Sequence, residues 1–262
     1  MNIVVCIKQV PDTTEIKIDP VKNTLIRTGV PSIMNPYDKH ALEQALKLKE
    51  EYGGTVTIIS MGPDQAKAVL REGLAMGADK AYLVTDRAFG GSDTYATSYI
   101  LSQAIKKLGE FDLILGGVMA IDGDTGQTAP SMAEHLGITR ITFVLDIKME
   151  GDKVIVKRKL EEGTEILETK LPLLCTSPKE SNKVRYRTIK GVMDAMKADI
   201  QEIHFADLPE IDSTKIGLKG SPTRVKATFT PKRQANCEMM EVKDPQETAK
   251  VLVGKLMEGK IL

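Results

Sequence analysis

The stretch Gly116-Gly117-Val118-Met119-Ala120-Ile121-Asp122-Gly123-Asp124-Thr125-Gly126-Gln127-Thr128 holds the residue types best suited to chemistry. An apolar run, Phe111 to Leu115, precedes it and reads as a buried strand. A helical pattern from Thr128 to Leu136 follows it. A glycine-rich passage from strand into helix ends in free backbone N–H groups, and the helix dipole adds positive potential, so an anion is favoured there. Gly116, Gly117, Gly123 and Gly126 admit a ligand close to the main chain, and Thr125, Gln127 and Thr128 add hydrogen-bonding side chains. A phosphate or nucleotide site fits these residues. So does a plain turn with Asp124 or Thr125 as a helix cap, and the residues alone leave both readings open.

No other catalytic apparatus is visible. No GxGxxG follows the first strand, and no GxxxxGK[ST], GxSxG or HExxH occurs. His40, His135 and His204 are scattered, so no metal site is legible. The expectation is a chain that binds a nucleotide-like group without supplying an acid, base or nucleophile.

The elements that position the stretch alternate along the first 137 residues. Apolar strands are expected at Asn2–Lys8, Thr55–Ser60, Lys80–Val84 and 111–115. Helices are expected from Asn35-Pro36-Tyr37-Asp38, from Met61-Gly62-Pro63-Asp64 and from Ser92-Asp93-Thr94. Asn35 has the chemistry of a cap, Pro36 suits the first helical position, and Asp38 sits in the positive first turn. Gly73 weakens its helix by about 1 kcal/mol relative to alanine. Gln9 to Thr13 reads as a polar loop, and 15–18 with 24–27 as a hairpin about a turn at 19–23. This alternation argues for an α/β fold, a mostly parallel, doubly wound (Rossmann-like) sheet with its loops gathered along one edge.

After Gly137, Ile141–Met149, Lys153–Leu160 and Thr164–Leu171 read as an antiparallel β extension, and Leu171–Cys175 as a further strand. Ser177 to Tyr186 is a polar loop, and Ile189 to Ala198 a helix. From Asp199 prolines and glycines interrupt the chain, so no compact second core is expected. A strand at 225–229 and a helix opened by Asp244-Pro245-Gln246-Glu247 read as a C-terminal arm. The expected division is an α/β nucleotide-binding domain at 1–220 and an arm at 221–262 that packs on a partner.

Composition narrows the class. Hydrophobic residues make up 42%, which argues against wholesale disorder. Lys plus Arg equals Asp plus Glu at 36 each, which argues against nucleic-acid binding. No apolar run approaches the roughly 20 residues of a membrane span. The start of the chain reads as a strand and not a signal peptide. Cys6, Cys175 and Cys237, far apart, fit free thiols in a reducing cytoplasm.

Collinear stretches then carry a family resemblance: Val5-Cys6-Ile7-Lys8, Met34-Asn35-Pro36-Tyr37, Ala75-Met76-Gly77-Ala78-Asp79, Ala120-Ile121-Asp122 with Gln127-Thr128, Arg158 through Leu167 before Leu171-Pro172, and Arg185-Tyr186. Over nearly its whole length the chain resembles the β (small) subunit of electron-transfer flavoproteins. It departs from the family pattern at Glu162 and Cys175. The resemblance implies a heterodimer with a flavin-carrying α subunit, embraced by the arm, and a nucleotide site on β. Carried onto this chain, that site is Cys6, Asn35, Pro36, Tyr37, Asp38, Met61 and the run holding Gly116, Val118, Ala120, Asp122, Gly123, Asp124, Thr125, Gly126, Gln127 and Thr128.

Ordinary members hold AMP there, and the bifurcating type holds a second FAD that takes a hydride from NADH. Val10-Pro11-Asp12-Thr13, Asp122-Gly123-Asp124-Thr125 and Gly90-Gly91-Ser92-Asp93-Thr94 look like the bifurcating type. FAD is therefore expected, with AMP the alternative. Lys8, Pro11, Asp12, Asp93, Thr94 and Thr97 complete the candidate set, Asp93 as a cap and not a phosphate contact. The resemblance also implies docking of an acyl-CoA dehydrogenase, here at Lys179, Glu180, Ser181, Asn182, Arg185 and Tyr186. For the bifurcating type it implies a low-potential acceptor such as ferredoxin or flavodoxin. The loop at 178–183 lacks the leucine that often anchors this contact in the family. A non-redox adenine-nucleotide-binding module is the reading from a different class.

Overall fold

The computed structural model describes residues 1–12, 31–227, 239 and 244–261. The expected hairpin at 15–27, Thr13, the end of the expected strand at 225–229, and Cys237 lie outside the described residues.

In chain order the strands are β1 (Asn2–Cys6), β2 (Gln9–Pro11), β3 (Ser32–Met34), β4 (Thr55–Met61), β5 (Lys80–Val84), β6 (Leu113–Gly117), β7 (Thr139–Ile141), β8 (Val144–Glu150), β9 (Lys153–Leu160), β10 (Gly163–Thr169), β11 (Leu173–Ser177) and β12 (Gln201–Ile203). The helices are α1 (Pro36–Tyr52), α2 (Lys67–Met76), α3 (Thr94–Leu108), α4 (Thr128–Leu136), α5 (Ile189–Lys197), α6 (Gly217–Gly220) and α7 (Pro245–Glu258).

Seven strands form one parallel sheet in the order β12-β5-β4-β1-β6-β11-β7. Strands buried on both faces read as continuous apolar runs, which is why β1 and β6 lack alternation. Successive residues of β1 divide between two cores. Ile3 and Val5 face Leu42, Leu70 and Leu115 on the α1/α2 side, and Val4 faces Ile100, Ile105 and Met132 on the α3/α4 side. This is the expected doubly wound α/β arrangement with helices on both faces. The antiparallel extension is β10-β9-β8, closed below by Val144, Ile147, Val154 and Val156.

Several local expectations need correction. Gln9–Pro11 is no loop: it pairs antiparallel with Ser32–Met34. Ile141 belongs to β7 in the main sheet, and the meander begins only after Phe143, whose φ of 57° breaks the strand. The segment after Asp199, read as irregular, holds a strand and joins the existing core. β12 extends the sheet beside β5, and Ile203, Leu208, Ile211 and Ile216 are buried in the α3/α4 core. Gly73 carries no idle penalty, because a Cβ there would stand 2.6 Å from Ile58 Cδ1, so glycine lets α2 rest on β4.

Residues Met1–Lys226 and Ala227–Leu262 form separate compact units. In the second, Asp244 caps α7 by accepting the Gln246 N–H at 3.0 Å, and no residue of α7 is buried. Among the described residues, no helix is long and apolar enough to cross a membrane, and no group of three His, Cys, Asp or Glu could hold a metal.

Candidate functional site

From β1 the chain crosses through α1 to β4 on one side of β1, and from β5 through α3 to β6 on the other. The connections leaving the carboxyl ends of β1 and β6 therefore diverge, and a crevice opens there. A cleft of about 390 Å³ occupies it. Cys6 lines it from the end of β1, Ile7 and Lys8 from the residues just after, Asn35 and Asp38 from the start of α1, and Ile59 and Met61 from β4. Ser92, Asp93, Thr94, Thr97 and Leu101 come from the start of α3. Gly116 to Ala120, Gly123 to Gly126, Thr128, Ala129 and Met132 supply the remaining wall.

Asp38 fixes the floor. Its carboxylate accepts the Lys8 N–H at 2.8 Å, the Gly117 N–H at 3.0 Å and Asn35 Nδ2 at 2.9 Å. The ends of β1 and β6 and the start of α1 thus meet on one side chain. Burial lifts its carboxyl to about 7, with Asn35 and the two amides opposing the rise. Asn35 occupies the N-cap position but makes no cap hydrogen bond. Nδ2 also donates to Met119 O at 2.9 Å, and Oδ1 accepts the Ile121 N–H at 3.3 Å. The expected cap is instead a tie to the glycine-rich loop. Gly117 must lack a Cβ, which would stand 2.4 Å from Asp38 Oδ1 and 2.6 Å from Tyr37 Cβ. Burial, with the Asp38 charge beside it, pushes the Cys6 thiol up to about 12, so it stays protonated at neutral pH.

The loop after β6 turns on itself, with the Gly123 and Asp124 N–H groups donating to Ala120 O. Asp124 (φ 49°) and Gly126 (φ 61°) are left-handed. Neither Asp124 nor Thr125 caps α4: Gln127 holds that position and makes no side-chain cap bond. The N–H groups of Thr125, Gly126, Gln127 and Thr128 find no acceptor among the described residues. Together with the start of α4 they can receive an anion. Lys8 Nζ pairs with Asp122 Oδ1 at 2.6 Å.

Asp93 caps α3 as expected, its Oδ1 accepting the Ala96 N–H at 3.0 Å. Burial opposes ionisation there, but hydrogen bonds from Ala96 and Thr223 hold its carboxyl below the usual carboxylate range.

Of the expected site residues, Pro11, Asp12, Pro36, Tyr37, Asp122 and Gln127 do not line the cleft. Pro11 is in the β2 ladder, and the Asp12 N–H donates to Pro31 O. The Tyr37 ring lies beneath Lys179 Nζ at 4.9 Å. Ile7, Ile59, Leu101, Ala129 and Met132 were not legible as lining residues, since each belongs to an apolar run or stripe that looks like core.

A model of the electron transfer flavoprotein domain matches residues 22–208. An electron transfer flavoprotein subunit beta of Thermoanaerobacterium thermosaccharolyticum is 57% identical over 231 residues, 88% of each chain. That of Megasphaera elsdenii is 52% identical over 271 residues, covering both chains fully. Caffeyl-CoA reductase-Etf complex subunit CarD of Acetobacterium woodii is 49% identical over 263 residues, again across both chains. The chain belongs to the electron-transfer flavoprotein β-subunit family.

The cleft of this flavoprotein subunit fits a phosphorylated nucleotide. Free amides stand at the start of α4, the hydroxyls of Thr94, Thr97, Thr125 and Thr128 are at hand, and Ile59, Met61, Leu101 and Met132 give apolar wall for a flat ring.

The expected docking residues do not line the cleft, and several are held by bonds to neighbouring parts of the chain. Glu180 pairs with Lys159 at 2.5 Å, Asn182 Nδ2 donates to His40 O at 2.9 Å, and Ser181 Oγ donates to Pro178 O. Arg185 grips α1: Nε donates to Glu43 Oε2 at 2.9 Å, and Nη1 to Glu50 Oε1 at 2.5 Å. Its guanidinium is thus committed within the chain. Beyond it, Tyr186, Ile189 and Met196 are 93%, 84% and 72% exposed, and Met193 is exposed between them. The spacing of Ile189, Met193 and Met196 sets one apolar stripe along α5, with Tyr186 in the chain just before it.

Proposed function

We propose that this chain is the β subunit of a heterodimeric, electron-bifurcating electron-transfer flavoprotein and that its cleft holds FAD. Bound there, FAD supplies hydride acceptance from NADH and the release of two electrons along separate routes. One route leads to a low-potential acceptor such as ferredoxin or flavodoxin. The other leads through the flavin of the α subunit to an acyl-CoA dehydrogenase. The chain's own residues bind and orient. Asp38 and Asn35 fix the cleft floor, the amides of Thr125, Gly126 and Thr128 meet phosphate, and the apolar wall excludes water. The free thiols of Cys6 and Cys175 accord with a reducing cytoplasm.

The observation that carries this reading is that one cleft is lined both by the amides at the start of α4 and by the hydroxyls of Thr94 and Thr97 on the first turn of α3. A diphosphate can use both sets of donors, whereas a single phosphate needs one. The similarity to a protein whose name places it in a caffeyl-CoA reductase-Etf complex supports it further. A specific observation favours AMP as the second reading: about 390 Å³ is near the lower end of small-ligand sites, where a mononucleotide fits wholly. AMP would act by stabilising the native fold.

We propose the loop 178–186 and the α5 stripe as the docking surface for the dehydrogenase, with Tyr186, Ile189 and Met196 in place of the leucine the loop lacks.

The test is to co-express the chain with its α partner, denature the complex, and identify the released nucleotides by chromatography. Two FAD per heterodimer supports bifurcation. One FAD with one AMP makes the protein an ordinary electron shuttle.

A further inference from the structure

The segment leading to the C-terminal unit is knitted to the cleft wall before it departs. Ser92 Oγ accepts the Gly217 N–H at 3.0 Å. The Asp93 N–H donates to Ser221 Oγ at 2.8 Å, and that hydroxyl donates to Gly217 O at 2.7 Å. Asp93 Oδ2 accepts both the Thr223 N–H at 2.9 Å and Thr223 Oγ1 at 2.7 Å. The backbone is shaped for this contact. Gly217 has φ +60°, and a Cβ on it would stand 2.4 Å from Ala88 O. Ser221 is buried.

Asp93 lines the cleft with Ser92, Thr94 and Thr97. A carboxylate at the start of α3 has the wrong sign for a phosphate ligand. Its two oxygens are instead turned to the Ala96 N–H and to Thr223. We propose that Thr223, with Ser221, is a positioning residue for the nucleotide cleft. It holds the Asp93 carboxylate against the cap and the departing chain, so that the charge does not oppose an anion, and it ties cleft occupancy to the segment entering the C-terminal unit. The inference rests on the nucleotide reading above. Thr223 lies just before Ala227, where the second unit begins, and bonds directly to Asp93. Linkage then makes the effect reciprocal: a filled cleft steadies the segment at Ser221 to Thr223.

The test uses the full chain co-purified with its α partner and follows release of bound nucleotide after dilution into competing nucleotide. Thr223→Val removes the hydroxyl donor to a charged acceptor and is expected to release nucleotide about tenfold faster. The difference should shrink as salt is raised, because the freed carboxylate acts through its charge. Thr223→Ser keeps the hydroxyl and is expected to stay within about twofold of wild type. Should Thr223→Val not fold, Ser221→Ala, which strands the Asp93 N–H, is the second probe, with release about threefold faster. Equal release by wild type and the folded variants, or a Thr223→Val increase indifferent to salt, would overturn the role of Thr223. A wild-type complex carrying no nucleotide is a separate result that removes the nucleotide reading and this inference together.

Discussion

Asn35 Nδ2 donates to Asp38 Oδ1 at 2.9 Å, and that same oxygen receives the N–H of Gly117 at 3.0 Å. Two residues of one helical turn thereby hold the end of a strand far along the chain. The cleft floor depends on this pair more than on any contact within the glycine-rich loop.

Asn35→Ala should therefore cost about 3 kcal/mol, since it strands Met119 O, the Ile121 N–H and one face of Asp38. Urea unfolding measures it. A loss below about 0.5 kcal/mol, usual for a surface change, would mean that the loop holds itself.

The pH dependence of Asp38 has a definite sign. Its folded value near 7 lies above the ordinary carboxylate value, so the folded state binds the proton more tightly. Its contribution is complete below about pH 4 and is lost as pH rises towards 7, at no more than about 1.4 kcal/mol per pH unit. Stability of wild type minus that of Asp38→Asn should fall across this window. Parallel pH curves for the two proteins would refute it.

Gly117→Ala places a methyl group within 2.4 Å of Asp38 Oδ1 and 2.9 Å of the Asp38 amide nitrogen. Destabilisation of about 3 kcal/mol is expected, with loss of bound nucleotide. A variant of normal midpoint that retains its nucleotide would show that α1 moves aside freely.

Arg185→Ala leaves Glu43 buried without its cation, and a loss of about 2 kcal/mol is expected. Arg185→Lys should recover only part of it, because one ammonium cannot span Glu43 and Glu50 as the guanidinium does. Full recovery by lysine would reduce the contact to simple charge.

Ile189→Asp and Met196→Asp alter exposed positions and should shift stability by no more than about 0.5 kcal/mol. If the α5 stripe docks the dehydrogenase, both should slow reduction of that partner about tenfold while leaving reduction of a small dye unchanged, a loss in the range of interface anchor residues. Normal rates with the dehydrogenase would move the docking surface elsewhere.

Much of the frame is readable where local rules and tertiary packing agree. β5 and α4 have the expected bounds, and Asp93 and Asp244 cap their helices. Asn35 shows where such reading stops. Its residue type and its place before Pro36 describe a cap, yet its amide serves Met119, 84 positions away. β12 was missed because three residues are too few to show a period. Asp12 and Pro11 sit at the end of a strand, as ligand residues do, but the β2–β3 ladder turns them from the cleft. Thr223 carries no sequence signal at all, since its partner Asp93 is 130 residues earlier.

The late position of β12 also bears on how the molecule is made. Ile203, Leu208, Ile211 and Ile216 close the side of the sheet against which α3 packs. On the ribosome, these side chains emerge only after every other strand of the sheet. The α3 wall acquires this part of its support, and then its Thr223 tether, after the rest of the sheet has been made. On the reading proposed above, a cleft wall able to hold its nucleotide is complete only once Thr223 has been made.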